Sequence, residues 1–339
     1  MGGRSGIVTG GTWCADHNKI VEHWPGEDEV VEILTEEVRG GGSGCNLAID
    51  LKRLDPDFPV STIGLVGDDG DGGLLLAEAR DAGIECSRLK VVPGARTNYT
   101  DAFTSKRSGR RTHLFHAGTS ALLTPDHFDF SGIEARLLHL GLPGIHEQLD
   151  APWSGEANGW VSVLRKARAA GIKTNLELCS IPAERLAGLV RPCLPYLDSL
   201  IVNDFEIAAI AGQAKAHDGD TDIEACLDAA RTVLSQGAMT MVAVHFPKGA
   251  VLVTRDGDEL RRPSVAVPVD AVVGANGAGD AFAAGLLYAH HEDWPLEKAL
   301  VLAHATAASS LRGVGTTDAV ESWRATLALA DRWGWRERI

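Results

Sequence analysis

VGANGAGDAFAAG, residues 273–285, sets Gly274, Gly277 and Gly279 with Ala275 and Ala278 around Asn276, then a lone carboxylate, Asp280, then an apolar run. Side chains almost vanish where the backbone turns and return with Asp280. Glycine permits such a turn and lets another group approach the backbone closely. The run after it has helical spacing, and the first N–H groups of a helix are unpaired and carry the positive end of its dipole. That combination is an oxyanion or phosphate site. A carboxylate beside it would repel an anion, unless it takes a proton from a hydroxyl that attacks phosphorus. The same residues also read as a capped helix packed tightly on a strand, with Asp280 as its N-terminal charge partner. The stretch alone leaves both readings open. A P-loop is excluded, because no G-K-[ST] follows a glycine loop. GGGSGCN (40–46) lacks the last glycine of a dinucleotide fingerprint.

The stretch follows the strand-like SVAVPVDAVV (264–273) and belongs to a rhythm of strands and helices. Strands are expected at SGIVTGG (5–11), VSTIGLVG (60–67), IECSRLKVV (84–92), ARLLHLGL (135–142), IKTNLEL (172–178), DSLIVN (198–203), MTMVAVHF (239–246) and GAVLVTRDG (249–257). Helices are expected at SGCNLAIDLKRL (43–54, with Ser43 as N-cap), GDGGLLLAEARDAG, GWVSVLRKARAAG, PAERLAGLVRPCL, DFEIAAIAG, IEACLDAARTVLSQG, GAGDAFAAGLLYAHH and LEKALVLAHATAASSL. Strands that are apolar throughout and alternate with helices imply a mostly parallel sheet covered on both faces, a three-layer α/β/α domain. KIVEHWP (19–25), EVVEILTEEVRGGG (29–42) and the hairpin TNYTDAFTSKRSGRRTHLFHAG (97–118) break that rhythm. Residues 18–42 and 95–118 therefore read as a small β-sheet lid inserted into a single domain spanning 1–339. Its one exposed apolar face is what a homodimer would bury.

With 339 residues and 45% apolar content the chain can bury a large core, and its net charge of −14 argues against a nucleic-acid or anionic-membrane partner. No apolar run reaches the roughly 18–20 residues that span a bilayer. The six cysteines are scattered and form no C-x-x-C pair, and no signal peptide is present, so a cytoplasmic location is expected.

GANGAGDAFAAG resembles the C-terminal signature of the ribokinase-like (PfkB) carbohydrate kinases, D-T-x-G-A-G-D-x-F. RGGGSGCNLAIDLKRL (39–54) resembles their N-terminal G-G-x-x-x-N-x-A, and VNDFEIAAIAG (202–212) their N-x-x-E motif. TGGTWCADH (9–17) carries an Asp where the family has its first sugar-binding acid, and IGLVGDDGDGGLLLAEARDAGIE (63–85) follows the family pattern. The motifs occur in family order over almost the whole chain. The resemblance implies a kinase that uses ATP and Mg2+ on the hydroxymethyl group of a small sugar or sugar derivative. It makes Asp280 the base and the backbone of Gly277, Ala278 and Gly279 the anion hole. Asp16, Gly42, Asn46 and Asn98 would contact the sugar. Asn203 and Glu206 would organise the triphosphate and, through water, its Mg2+, with no direct protein ligand to the metal. Lys248, Gly249 and His304 would lie along the nucleotide. The sequence departs from the family at Gly274-Ala275, where Asp-Thr usually helps build a K+ site, at Pro247, where a glycine would approach the nucleotide, and at Ser43, where ribokinases often carry lysine.

Two other readings remain open on these residues. A nucleoside kinase of the same fold would need an aromatic platform, for which Phe103, Phe115 and Trp13 are available. A non-catalytic sugar-sensing protein would explain Gly274-Ala275 and Pro247, but not the retained Asp280, Asn203 and Glu206. Arg110, Arg111 or His116 on the lid hairpin would suit an acidic or phosphorylated substrate, although solvated hairpin charges explain them equally. His113 and His116 should fall on opposite faces of a strand, against a metal site. Asp68 and Asp69 read as a turn and helix cap.

Overall fold

Apolar runs with no polar face need cover on both sides, and the strands of this chain have it. A computed structural model describes residues 4–213 and 221–339. Its strands are β1 (Ile7–Gly11), β2 (Cys14–Val21), β3 (Ile33–Gly41), β4 (Val60–Gly67), β5 (Glu85–Val92), β6 (Tyr99–Ser105), β7 (Arg111–His116), β8 (Leu137–Gly141), β9 (Lys173–Leu176), β10 (Ser199–Asn203), β11 (Met241–Phe246), β12 (Gly249–Thr254) and β13 (Glu259–Pro263). The main sheet runs β13-β12-β11-β10-β9-β8-β1-β4-β5, parallel from β11 to β5, with β12 and β13 antiparallel. Alternate side chains serve two cores. Val8, Leu138, Leu200 and Val242 pack with Trp160, Leu186 and Leu227 of the helices on one face. Ile7, Leu137, Ile201 and Met241 pack with Leu47, Phe282 and Leu300 on the other.

The second sheet, β3-β2-β6-β7, is small and separate, with β2 parallel to β6 and the outer pairs antiparallel. Its limits differ from expectation. β2 starts at Cys14, upstream of residue 18, because Ala15, Asp16 and His17 already pair with Tyr99, Thr100 and Asp101 of β6. The strand expected from Glu29 begins only at Ile33; Pro25, Gly26 and a left-handed Asp28 (φ 65°) hold the intervening chain in a loop, where Val30 is 98% exposed.

Three other expectations are corrected. Ser43 is not the N-cap of the Ser43–Leu54 helix; Gly42 is, at φ 86°, where a Cβ would lie 2.8 Å from the Thr12 carbonyl oxygen. PAERLAGLVRPCL divides into a helix, Ala183–Val190, and a 3-10 turn, Arg191–Tyr196, because Pro192 and Pro195 lack N–H donors. SVAVPVDAVV is not a strand: only Val265 bridges, to Trp335, and Val269–Ala271 is a 3-10 turn between Pro268 and the glycine stretch. Among the described residues no helix is long and apolar enough to cross a membrane.

Candidate active site

The carboxyl ends of β9 and β11 meet the start of the Ala278–His291 helix: Glu177, just after β9, acts on Asp280, and His245 of β11 would lie 3.2 Å from a Cβ at Gly279, at the end of an α/β sheet where ligands bind. Gly277 precedes that helix at φ 76°, and a Cβ there would sit 2.4 Å from the Thr316 carbonyl oxygen, so glycine is required. No side chain caps this helix end. Of its first N–H groups, that of Ala278 reaches the Ala275 carbonyl oxygen at 3.5 Å, the outer limit of a hydrogen bond, and those of Gly277 and Gly279 are available to an anion. Asp280, in the first turn, is held by Asn46, whose Nδ2 donates to Oδ2 at 2.6 Å. Thr316 Oγ1 in turn donates to Asn46 Oδ1 at 2.8 Å. Burial, and next the Glu177 carboxylate, push the Asp280 carboxyl well above its ordinary range.

On one side of the Gly277 turn lies a cavity of about 740 Å³. Ala275, Ala278 and Gly279 line it, opposite Asn203, Lys248 and His304. Asn203 caps the Asp204–Ala211 helix in a reciprocal box: its Oδ1 accepts from the Glu206 N–H at 2.9 Å, and Glu206 Oε2 accepts from the Asn203 N–H at 3.0 Å. Burial pushes Glu206 up to about 7. His304 is buried, its Nε2 has no hydrogen-bond partner, and its ring meets Phe282 edge-on at 5.1 Å. Gly249 does not join this lining. It is buried in β12, where a Cβ would lie 2.2 Å from Ile339 Cγ2, so its smallness accommodates the last residue of the chain.

On the other side is the inner face of the small sheet. Asp16 lies beside Gly41, where a Cβ would come within 2.2 Å of its Oδ2. Burial raises Asp16 to about 6. Asn98 is buried, with Oδ1 accepting from Thr119 Oγ1 at 3.2 Å and Nδ2 unpartnered. Register places Asp16 opposite Thr100 and Thr100 opposite Phe115, so Phe115, His113 and Arg111 share the Asp16 face. Arg111 is half-buried, its charge acts on Asp16, and its Nε donates to Thr104 Oγ1 at 3.1 Å. His116 faces the opposite way and stacks on Tyr99 at 4.9 Å. Of the aromatic candidates, Trp13 is fully buried with Nε1 donating to Thr62, and Phe103 packs on Trp24 and Lys19. Phe115, 41% exposed, is the one left on the Asp16 face. Asp69 caps the Gly70–Asp81 helix and Asp68 accepts from the Gly94 N–H, the structural roles expected of them.

The sequence reading missed three buried polar residues. Glu177 follows β9, and its carboxylate helps to push the Asp280 carboxyl up. His139 of β8 reaches Glu177 Oε2 through Nε2. Asp50, one helical turn from Asn46, is fully buried with neither oxygen hydrogen-bonded, and burial pushes it well above the ordinary carboxylate range. The signal for each was a polar residue in an apolar run: LLHLG, TNLEL and NLAIDL.

The profile of the family described as pfkB family carbohydrate kinase matches residues 6–323. An ATP-dependent ribose-1-phosphate kinase of Halopiger xanaduensis is 28% identical over 89% of this chain and 92% of its own. An acarbose 7(IV)-phosphotransferase of an Actinoplanes species is 38% identical over 81% of each chain. The ribokinase of Arabidopsis thaliana, solved with ribose and ATP, superposes with a TM-score of 0.78 over 96% of this chain and 98% of its own, at 21% identity. The chain therefore belongs to the pfkB family of carbohydrate kinases and has the ribokinase fold.

Proposed function

From that family membership we propose that this kinase moves the γ-phosphoryl group of ATP to a hydroxymethyl group of a small sugar or sugar derivative, with Asp280 as the base. One observation carries the reading. Ala278 and Gly279 line the large cavity, while the next residue, Asp280, bonds to Asn46 on the side of Asp16. One helix end thus touches both the cavity and the side of the small sheet that carries Asp16. The acceptor hydroxyl gives its proton to Asp280 as its oxygen forms the bond to phosphorus. The bond to the leaving ADP oxygen breaks, and ADP keeps the electron pair. The N–H groups of Gly277, Ala278 and Gly279 take the developing negative charge. Asp16, Gly42, Asn46 and Asn98 hold the acceptor beneath the small sheet, which acts as a lid within a single domain. Asn203, Lys248 and His304 hold the nucleotide; the packing around Gly249 supports no role for it there.

Glu206 and Glu177 are buried carboxylates, and the charge of Glu206 adds to the raising of Glu177. Such hard, unbalanced oxygens fit a Mg2+ ion carried by the triphosphate and met through water near Glu206 and Asn203. When bound, Mg2+ neutralises charge on the transferring group. Residue 274 offers no carboxylate to a monovalent cation. Replacing K+ by Na+ should therefore leave the rate unchanged, and a rate that follows K+ would locate that site elsewhere in the chain.

Arg111 supports an acceptor with an anionic substituent, a sugar acid or phosphosugar. Arg111→Ala should raise the acceptor KM by roughly tenfold, the scale of one lost charge-assisted hydrogen bond, with kcat and the ATP KM little changed. Equal loss for neutral and anionic acceptors would remove that preference. Phe115 favours a second reading, a nucleoside acceptor whose base stacks on its ring. ADP release measured with sugars and with nucleosides separates the two.

A further inference from the structure

The segment after residue 323 lies beyond the stretch that the family profile matches, yet it reaches the large cavity. After the Trp323–Trp333 helix, Gly334 turns the chain at φ 78°, and the tail runs beside the segment that leads to the glycine stretch. The Ala266 N–H donates to the Gly334 carbonyl oxygen at 2.9 Å, and the Arg336 N–H donates to the Ser264 carbonyl oxygen at 3.0 Å, with Trp335 bridging Val265 between them. The Arg262 guanidinium covers the Trp335 ring at 4.3 Å, and that ring meets His304 of the cavity wall edge-on at 6.5 Å. Ile339 fills the space where a side chain at Gly249 would stand. The backbone on each side of Arg336 is therefore held.

The Arg336 side chain lines the cavity and is tied at one point. Its Nε donates to Ser264 Oγ at 3.1 Å, and Ser264 Oγ donates to the Pro247 carbonyl oxygen at 2.9 Å. No hydrogen bond or ion pair joins Nη1 or Nη2 to any described residue. Lys248 and Arg336 are the two lysine or arginine residues of the described lining, in a chain of net charge −14. Both stand at the Pro247 turn, since the Ser264 N–H donates to the Lys248 carbonyl oxygen at 2.9 Å. His245, two residues before Pro247, lies against Gly279, so this turn is close to the helix end offered to the phosphoryl group. Pro247 itself has no N–H to give a phosphate. The two unbonded ends of the guanidinium supply donors beside it, in the fork geometry that suits phosphate oxygens.

We propose that Arg336 binds the phosphate chain of the nucleotide, so that the tail beyond the family profile completes the nucleotide site. This rests on the reading of the large cavity as that site.

The test is titration with ATP and Mg2+, without acceptor, of the parent, Arg336→Ala, Arg336→Lys and Arg338→Ala. Arg336→Ala should raise the ATP Kd by roughly tenfold, the scale of one lost charge-assisted hydrogen bond. Its affinity should also fall less steeply with added salt, because one charge contact is gone. Arg336→Lys keeps the charge without the fork and should recover part of the loss. Arg338 is exposed and outside the cavity lining, and Arg338→Ala should bind as the parent does. In steady state the ATP KM of Arg336→Ala should rise while kcat and the acceptor KM stay near the parent values. Its melting temperature without ligand should also stay, because the exposed side chain makes a single hydrogen bond. An unchanged ATP Kd overturns the proposal. A weaker Kd with the parent's salt dependence overturns it too, and places Arg336 on the base or ribose. If Arg336→Ala melts lower and Arg336→Lys restores neither melting nor binding, the residue is structural and the proposal fails. A parent that binds no ATP defeats the reading of the cavity itself, whatever Arg336 does.

Discussion

Asp280→Asn is expected to lower kcat by roughly a hundredfold or more, the scale of a lost general base. Acceptor and ATP binding should change little, because the amide keeps the size of the carboxylate and still offers Asn46 Nδ2 an acceptor oxygen. The substitution also removes a buried carboxylate next to Glu177, Asp50 and Glu206, so the variant should melt no lower than the parent at neutral pH. Activity and stability thus move independently. Steady-state ADP release, ligand titration and melting temperature measured together check all three statements. A fall in turnover accompanied by a large fall in melting temperature would point to a folding role for Asp280.

Gly277→Ala should damage both activity and stability. The residue has φ 76°, and its new Cβ would meet the Thr316 carbonyl oxygen at 2.4 Å. The left-handed backbone alone costs roughly 1–2 kcal/mol for a side chain. The clash adds to this, and it presses on the loop whose Thr316 hydroxyl holds Asn46 against Asp280. A shift there misaims the base, so kcat should fall by roughly tenfold or more, about 1.4 kcal/mol of transition-state stabilisation. Gly73→Ala is the control: nothing lies within 4 Å of its added Cβ, and both readouts should stay near the parent values.

The fold was legible because its strongest signals are local. Apolar strands alternating with amphipathic helices define the layers without knowledge of contacts, and the Gly277 turn announces the helix start through residue type alone. The boundaries that moved did so for reasons a single run hides. Gly42 is the cap in place of Ser43 because Thr12, thirty residues earlier in the chain, presses against it. The segment from Val265 to Val273 looks like a strand by β-propensity, yet it finds only one bridging partner, Trp335. Site residues divide in the same way. Asp280 and Asn46 stand out by motif, and their bond spans 234 positions that no spacing predicts. The resemblance of HFPKGA to the family's T-L-G-x-x-G segment places Gly249 along the nucleotide, while what its missing side chain makes room for is Ile339, 90 positions on. Glu177 and His139 carry no motif. Each is a single polar residue in a buried strand, and their meaning depends on β8 and β9 lying side by side.

The most direct test of the central claim is ADP release with ATP and Mg2+ over pentoses, hexoses, sugar acids, phosphosugars and nucleosides, run in parallel on the parent and on Asp280→Asn. The account predicts ADP release that depends on a sugar or sugar derivative, is strongest with an anionic one, and collapses in Asp280→Asn. Silence across the whole panel, with tight sugar binding in a thermal-shift screen, would contradict it and leave a protein that senses sugars without phosphorylating them.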